Sequence, residues 1–173
     1  MQIRACDPGD HDGIDALLKS AFPTPAEARL VTALRAADAD TLELVADDHG
    51  RIAGAVMFSP VTAIAANGSQ AYGAGLGPVA VIPEHQRRGI GTALVEAGLD
   101  YLRQLGAPWC VVLGDPAYYG RFGFKPASGR DWSWAGDPDG EHAGAFQWLS
   151  LSGKQPGTAG PCRVHYHPAF DAV

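Results

Sequence analysis

Gln86-Arg87-Arg88-Gly89-Ile90-Gly91 is the stretch on which the reading of this chain turns. An apolar run at residues 76–82 precedes it, and residues 89–105 follow with apolar side chains at helical spacing. Strand, short glycine turn and helix start together make an arrangement that holds a phosphate. The first amides of a helix have no internal partner and point their N–H groups outward. The helix dipole adds partial positive charge at the same place. Gly89 and Gly91 carry no Cβ, so a pyrophosphate can approach the backbone, and Arg87 and Arg88 add formal charge. A diphosphate-bearing cofactor is the expectation.

Two glycine-loop classes are excluded. A Walker-type loop needs Gly-x-x-x-x-Gly-Lys-Ser/Thr, and no lysine follows these glycines. A dinucleotide fingerprint needs a third glycine, but Ala93 and Leu94 follow Gly91-Thr92. The run Leu76-Gly-Pro-Val-Ala-Val-Ile-Pro83-Glu-His-Gln86-Arg-Arg-Gly89-Ile-Gly91-Thr-Ala-Leu94 instead resembles motif A of the GNAT superfamily of N-acetyltransferases. A second block, Val111-Val-Leu-Gly114-Asp-Pro-Ala-Tyr118-Tyr119-Gly-Arg-Phe-Gly123-Phe124, is similar to motif B of that superfamily. Its Tyr119 stands four residues before the glycine of a Tyr-x-x-x-Gly-Phe pattern. The resemblance covers about residues 1–127; the tail at 128–173 follows it loosely.

The chain has 173 residues, which suits one domain with a substantial core. Its net charge of -6 excludes a general nucleic-acid footprint. The three cysteines, Cys6, Cys110 and Cys162, are scattered and odd in number, which argues for a reducing, cytoplasmic setting rather than a disulfide scaffold. No signal-peptide pattern opens the sequence, and no apolar run is long enough to suggest a membrane span.

Hydropathy patterning predicts a strand at about 2–6 and a helix at 11–20 capped by Asp10. A second helix is expected at 25–37. The resemblance implies that this helix lines the acceptor site, where Glu27 could bind a cationic amine; the favoured reading puts Glu27 on a solvated surface. Strands at 41–47 and 51–64 pair around Asp48-His49-Gly50, and Asn67-Gly68 turns the chain into a strand at 70–81. Helix 89–105 carries Ile90, Ala93, Leu94, Ala97, Tyr101 and Leu105 as its apolar stripe. A buried strand at 107–113 contains Cys110, and Asp115 caps a short helix after it. Residues 128–144 read as a long loop holding Trp132 and Trp134, with strands at 146–151 and 162–166. His165 and His167 share a face of that last strand, and no third ligand points to a metal.

The resemblance implies a single domain with an α/β fold: a mixed, mostly antiparallel sheet flanked by helices. It implies acetyl-CoA as co-substrate, with no metal. Pantetheine would bond to the backbone of Val79, Ala80 and Val81. The pyrophosphate would sit on the amides of Arg87, Arg88, Gly89, Ile90, Gly91 and Thr92, with an arginine side chain on a phosphate. Tyr119 would act as the acid at the departing thiolate; the bland alternative is a packed tyrosine beside Phe122 and Phe124. The general base is not readable, and residues 74–82 hold no carboxylate. The acceptor is expected to be a primary amine, on a small molecule or a protein N-terminus. The other reading is a non-catalytic acyl-CoA-binding module. The terminal strands could also pair across a homodimer.

Overall fold

Two tight turns fix the register of the central strands. In the computed structural model, which describes residues 1–154, 156–158 and 160–172, strand β2 (Leu42–Asp48) meets β3 (Arg51–Ala65) through His49 and Gly50. Both turn residues have positive φ, 55° and 88°, as a turn matched to strand twist requires. The Gly50 N–H donates to Asp47 Oδ1 at 2.7 Å. Asn67-Gly68 then joins β3 to β4 (Gln70–Val81), and the Ser69 N–H donates to Asn67 Oδ1 at 2.9 Å.

The described residues form two compact units, and β3 and β4 run through both. The first holds Met1–Ser59, Gly77–Tyr101 and a 3-10 turn at Pro168–Ala172. Its strands pair in the order β1 (Gln2–Ala5), β2, β3, β4. Side chains alternate across β3, so Ala53, Ala55 and Met57 face one way and Gly54, Val56 and Phe58 the other. The first set packs with α1 (His11–Ala21) and α2 (Ala26–Ala36), through Ile14, Leu17, Leu30, Val31 and Leu34. Leu34 is fully buried, and its truncation to alanine should cost about 2–5 kcal/mol.

The second set faces α3 (Ile90–Gln104). A Cβ on Gly54 would lie 2.9 Å from Leu94 Cδ1, and one on Gly98 would overlap the Phe58 ring. These two glycines let strand and helix approach, and they correct the predicted stripe. Ile90, Leu94, Val95, Leu99 and Leu102 are buried, whereas Tyr101 and Leu105 are exposed. Gly98 counts for nothing on a hydropathy scale, yet it sets the face that meets the sheet.

Asp10 does not cap α1 with its side chain. Arg4 claims that carboxylate instead, at 2.6 and 2.9 Å, and the Asp7 N–H adds a third bond at 2.8 Å. A charge-assisted fork outcompetes a neutral amide bond. The Arg4 guanidinium holds the Asp10 carboxyl at about 2, below the usual carboxylate range.

The second unit spans Pro60–Leu76 and Leu102–His167. Ala74, Gly75 and Leu76 of β4 pair in parallel with β5 (Trp109–Leu113). Strand β8 (Phe146–Ser150) lies antiparallel to β5, and β6 (Lys125–Pro126) follows on β8. Trp132–Trp134 forms a strand, β7, parallel to β9 (Cys162–His165), which itself pairs with β3. The expected loop at 128–144 therefore contains a strand. Its signal is only three residues long, below any useful period. Trp132 is buried, edge-on to Trp109 at 4.8 Å, and belongs to the core. Strand β9 stops at His165, and His167 lies beyond it, so the two do not share a strand face.

Among the described residues antiparallel pairing dominates, and β4–β5 and β7–β9 pair in parallel, giving the mixed α/β architecture expected. Among the described residues, no helix is long and apolar enough to cross a membrane.

Candidate functional site

In the first unit, β4 ends at Val81 and a 3-10 turn, Pro83–His85, leads to the glycine stretch. The Ile82 N–H donates to the Ala53 carbonyl of β3 at 2.9 Å. Backbone groups along a strand alternate sides. Ala80 therefore also points toward β3, where its carbonyl lies 3.0 Å from a Cβ built on Gly54. Val79 and Val81 point theirs the other way. The Gln86 side chain donates to the Val81 carbonyl at 3.1 Å and ties the loop to the strand end.

Arg87 has φ of 61° and Gly89 of 83°. Left-handed backbone is unfavourable for arginine and free for glycine, so this turn holds strain at Arg87. The first helical bond of α3 runs from the Ala93 N–H to the Gly89 carbonyl at 2.9 Å. The amides of residues 89–92 precede it and have no helical partner. Glycine at the cap position offers no side-chain acceptor to satisfy them. A Cβ on Gly89 would meet nothing within 4 Å, so the space before these amides is open. Arg87, Arg88 and Gly89 are exposed, while Ile90 anchors the turn in the core. An anion with several oxygens suits this cradle. Glu84, two residues before Gln86, is exposed and lies 3.8 Å from Arg51.

In the second unit, β5 runs into Gly114 and Asp115, and α4 (Pro116–Tyr119) begins. Asp115 caps it as expected: its Oδ1 accepts from the Ala117 N–H at 2.9 Å. Tyr119 folds back over Gly114, where a Cβ would collide with the ring. Its ring also lies 5.0 Å from Tyr118 and 6.0 Å from Phe124. The ring is packed as the bland alternative expects. Burial, with Tyr118 and Cys110 adding to it, pushes the phenol up to about 12. Gly123 has φ of 92° and ends the turn after Phe122. Cys110 is fully buried and its thiol is pushed up by desolvation, as a structural cysteine would be.

One cluster went unread in the sequence. Ligand atoms of Cys6, His11 and Glu43 lie within 4.8 Å of one another. Arg35 already binds the Glu43 carboxylate twice, at 2.9 and 2.5 Å. Burial and the Glu43 charge push the Cys6 thiol up to about 12. Arg35 and Glu43 form its ion pair, and Glu43 lies more than thirty residues from Cys6 and His11, so spacing could not reveal the cluster.

A strand, a turn with Arg87 and Gly89 in left-handed backbone, and a helix start stand in sequence in a mixed α/β fold. Residues 2–127 match the family model described as an acetyltransferase (GNAT) domain. The chain is 45% identical over 132 residues to the uncharacterised N-acetyltransferase YhbS of Escherichia coli K12, covering 76% of this chain and 77% of that one. The crystal structure of E. coli YhbS with CoA superposes with a TM-score of 0.85 at 38% identity, covering 98% of this chain and 91% of that one. A GNAT acetyltransferase from Brucella melitensis, solved with acetyl-CoA, gives 0.78 at 38% identity, covering 98% and 97%. The chain belongs to the GNAT family and is an acetyltransferase.

Proposed function

We propose that this protein transfers an acetyl group from acetyl-CoA to a primary amine by direct attack in a ternary complex. The observation that carries this reading is the start of α3, where Gly89 at φ 83° accepts the helix's first printed bond from the Ala93 N–H and contributes no capping side chain. The amides at residues 89–92 would hold the pyrophosphate, with Arg87 or Arg88 adding charge. Val79 and Val81 would present backbone groups to pantetheine, and Ala80 between them would hold β4 to β3. The CoA and acetyl-CoA complexes of the two relatives support this donor.

The nitrogen lone pair of the neutral amine attacks the thioester carbon, the C–N bond forms, the C–S bond breaks, the thiolate leaves, and the nitrogen gives its extra proton to water. Tyr119 is assigned to that thiolate. A phenol near 12 cannot fully protonate a thiolate whose acid has a pKa of about 8.5, since that transfer is uphill by about 5 kcal/mol. Tyr119 therefore acts as a hydrogen-bond donor that stabilises the leaving sulfur. The acceptor amine belongs to a small molecule or a protein N-terminus.

Calorimetry with acetyl-CoA, followed by a CoA-release assay over amine classes, tests the reading. Micromolar binding plus turnover supports it. Binding without turnover on any amine would favour an acyl-CoA-sensing module. No binding would overturn it.

A further inference from the structure

The chain leaves β1 opposite Glu43 of β2. Ala5 pairs with Leu44, and the Cys6 N–H donates to the Glu43 carbonyl at 2.9 Å, so the antiparallel ladder runs one residue past the strand. Residues opposite each other in such a ladder project from the same face, with Cβ atoms about 4.5–5.5 Å apart. That face is the one α1 and α2 cover, because Val45, two residues after Glu43, packs in their core. The 3-10 turn Pro8–Asp10 then turns the chain, and Arg4 pins it through Asp10 and Asp47. His11, the first residue of α1, is thereby carried back to Cys6 and Glu43. One thiol, one imidazole and one carboxylate, from three parts of the unit, meet within 4.8 Å.

This donor set has the composition of a zinc site. Zn²⁺ takes thiolate, imidazole and carboxylate at about 2.0–2.3 Å, and three such ligands leave one tetrahedral position for water. Those bond lengths put ligand atoms about 3.3–3.8 Å apart, so the three side chains need to close by about 1 Å. Calcium and magnesium take oxygen ligands, and Cu(I) takes sulfur, so the mixed set favours zinc. Arg35 occupies two of the roughly four lone-pair sites of the Glu43 carboxylate and leaves the others. Its fork also fixes the carboxylate, as partners behind a ligating carboxylate do. The His11 imidazole hydrogen-bonds to no described residue, so it has a lone pair to give. Cys6 and His11 are half-buried, which leaves a path from solvent to the buried Glu43. The Arg35–Glu43 pair accounts for the carboxylate, but it requires neither a thiol nor an imidazole beside it.

We propose that Cys6, His11 and Glu43 form a zinc-binding site that ties the end of β1 and the start of α1 to β2. It adds a metal that the family resemblance does not imply, and no step of acetyl transfer passes through it. On binding, the thiol gives its proton to water and the thiolate sulfur bonds the ion, so Cys–SH and Zn²⁺ become Cys–S–Zn⁺ and H⁺. The thiolate and the Glu43 carboxylate balance the charge of the ion, and Arg35 stays paired to the carboxylate. A folded chain assembles the three ligands and an unfolded one does not, so bound zinc stabilises the fold.

The test titrates Co²⁺, a spectroscopic stand-in for Zn²⁺, into untagged, reduced protein. The wild type should take up one equivalent, with a thiolate-to-cobalt charge-transfer band and visible absorption of tetrahedral strength, and Zn²⁺ should bleach both. Zn²⁺ alone should bind at micromolar concentration or below by calorimetry and raise the melting temperature by several degrees. Cys6→Ser should abolish the charge-transfer band, whereas Cys162→Ala should keep it. His11→Gln should weaken Co²⁺ about tenfold or more. No saturable uptake of either metal by the wild type overturns the inference. So does a charge-transfer band that survives Cys6→Ser, or an affinity that His11→Gln leaves unchanged. Circular dichroism checks the fold of each variant; should Cys6→Ser fail to fold, the wild-type band and His11→Gln decide. Acetyl-CoA is absent from every arm, so failure of the donor reading leaves these outcomes intact.

Discussion

Two of the chain's strand-to-helix junctions treat the same problem in opposite ways. After β5, Asp115 supplies an oxygen to the Ala117 amide, and the helix start is closed by its own side chain. After β4, Gly89 supplies none, the next amides stay open, and Arg87 is held in left-handed backbone beside them. A cap stabilises a helix by about 1 kcal/mol. The first junction takes that stabilisation, and the second forgoes it and keeps an anion cradle. On the proposed reading, the difference assigns ligand binding to the helix whose start lacks such a cap.

Closing the open junction should have the largest effect. Asn and Asp both tolerate left-handed backbone, so Gly89→Asp and Gly89→Asn differ mainly in charge. Gly89→Asp should lower acetyl-CoA affinity by about 100-fold, since a carboxylate would sit where a phosphate belongs. Gly89→Asn should lose about tenfold, and calorimetry on both reads the gap. Next, Tyr119→Phe should lower kcat about tenfold or more and leave the acetyl-CoA affinity nearly unchanged. Equal loss of both in steady-state and binding assays would make Tyr119 a packing residue.

Opening the closed junction is a milder change. Asp115→Ala should cost about 1 kcal/mol, read as a melting temperature lower by about 2–4 °C, with acetyl-CoA affinity within twofold. The smallest effect concerns Asp10. Its carboxyl is depressed to about 2 in the folded chain by Arg4, so its stabilisation is complete above pH 4 and is lost as pH falls toward 2. Arg4→Met should flatten that part of the acid unfolding profile, followed by circular dichroism.

Much of this contrast was legible in the sequence. Gln86 to Gly91, the Asn67-Gly68 turn and the Asp115 cap are local signals, each decided within a few residues. The misread features depend on distant partners. Asp10 had the right position to cap α1, but Arg4 and Asp47 from β1 and β2 form its network. Gly98 carries no hydropathy, though Phe58 of β3 makes it the contact point of α3. Glu27 is half-buried with one carboxylate oxygen covered, a detail that only the packing of α2 shows. Strand β7 exists because β9 pairs with it, and three residues cannot announce that alone.

The central claim is that the unfinished start of α3 receives the diphosphate. Titrating acetyl-CoA into 15N-labelled protein tests it most directly through the amide resonances of Gly89, Ile90, Gly91 and Thr92. These four should show the largest downfield shifts in the first unit and saturate together with the calorimetric affinity. Saturable binding that leaves all four unmoved would contradict the account.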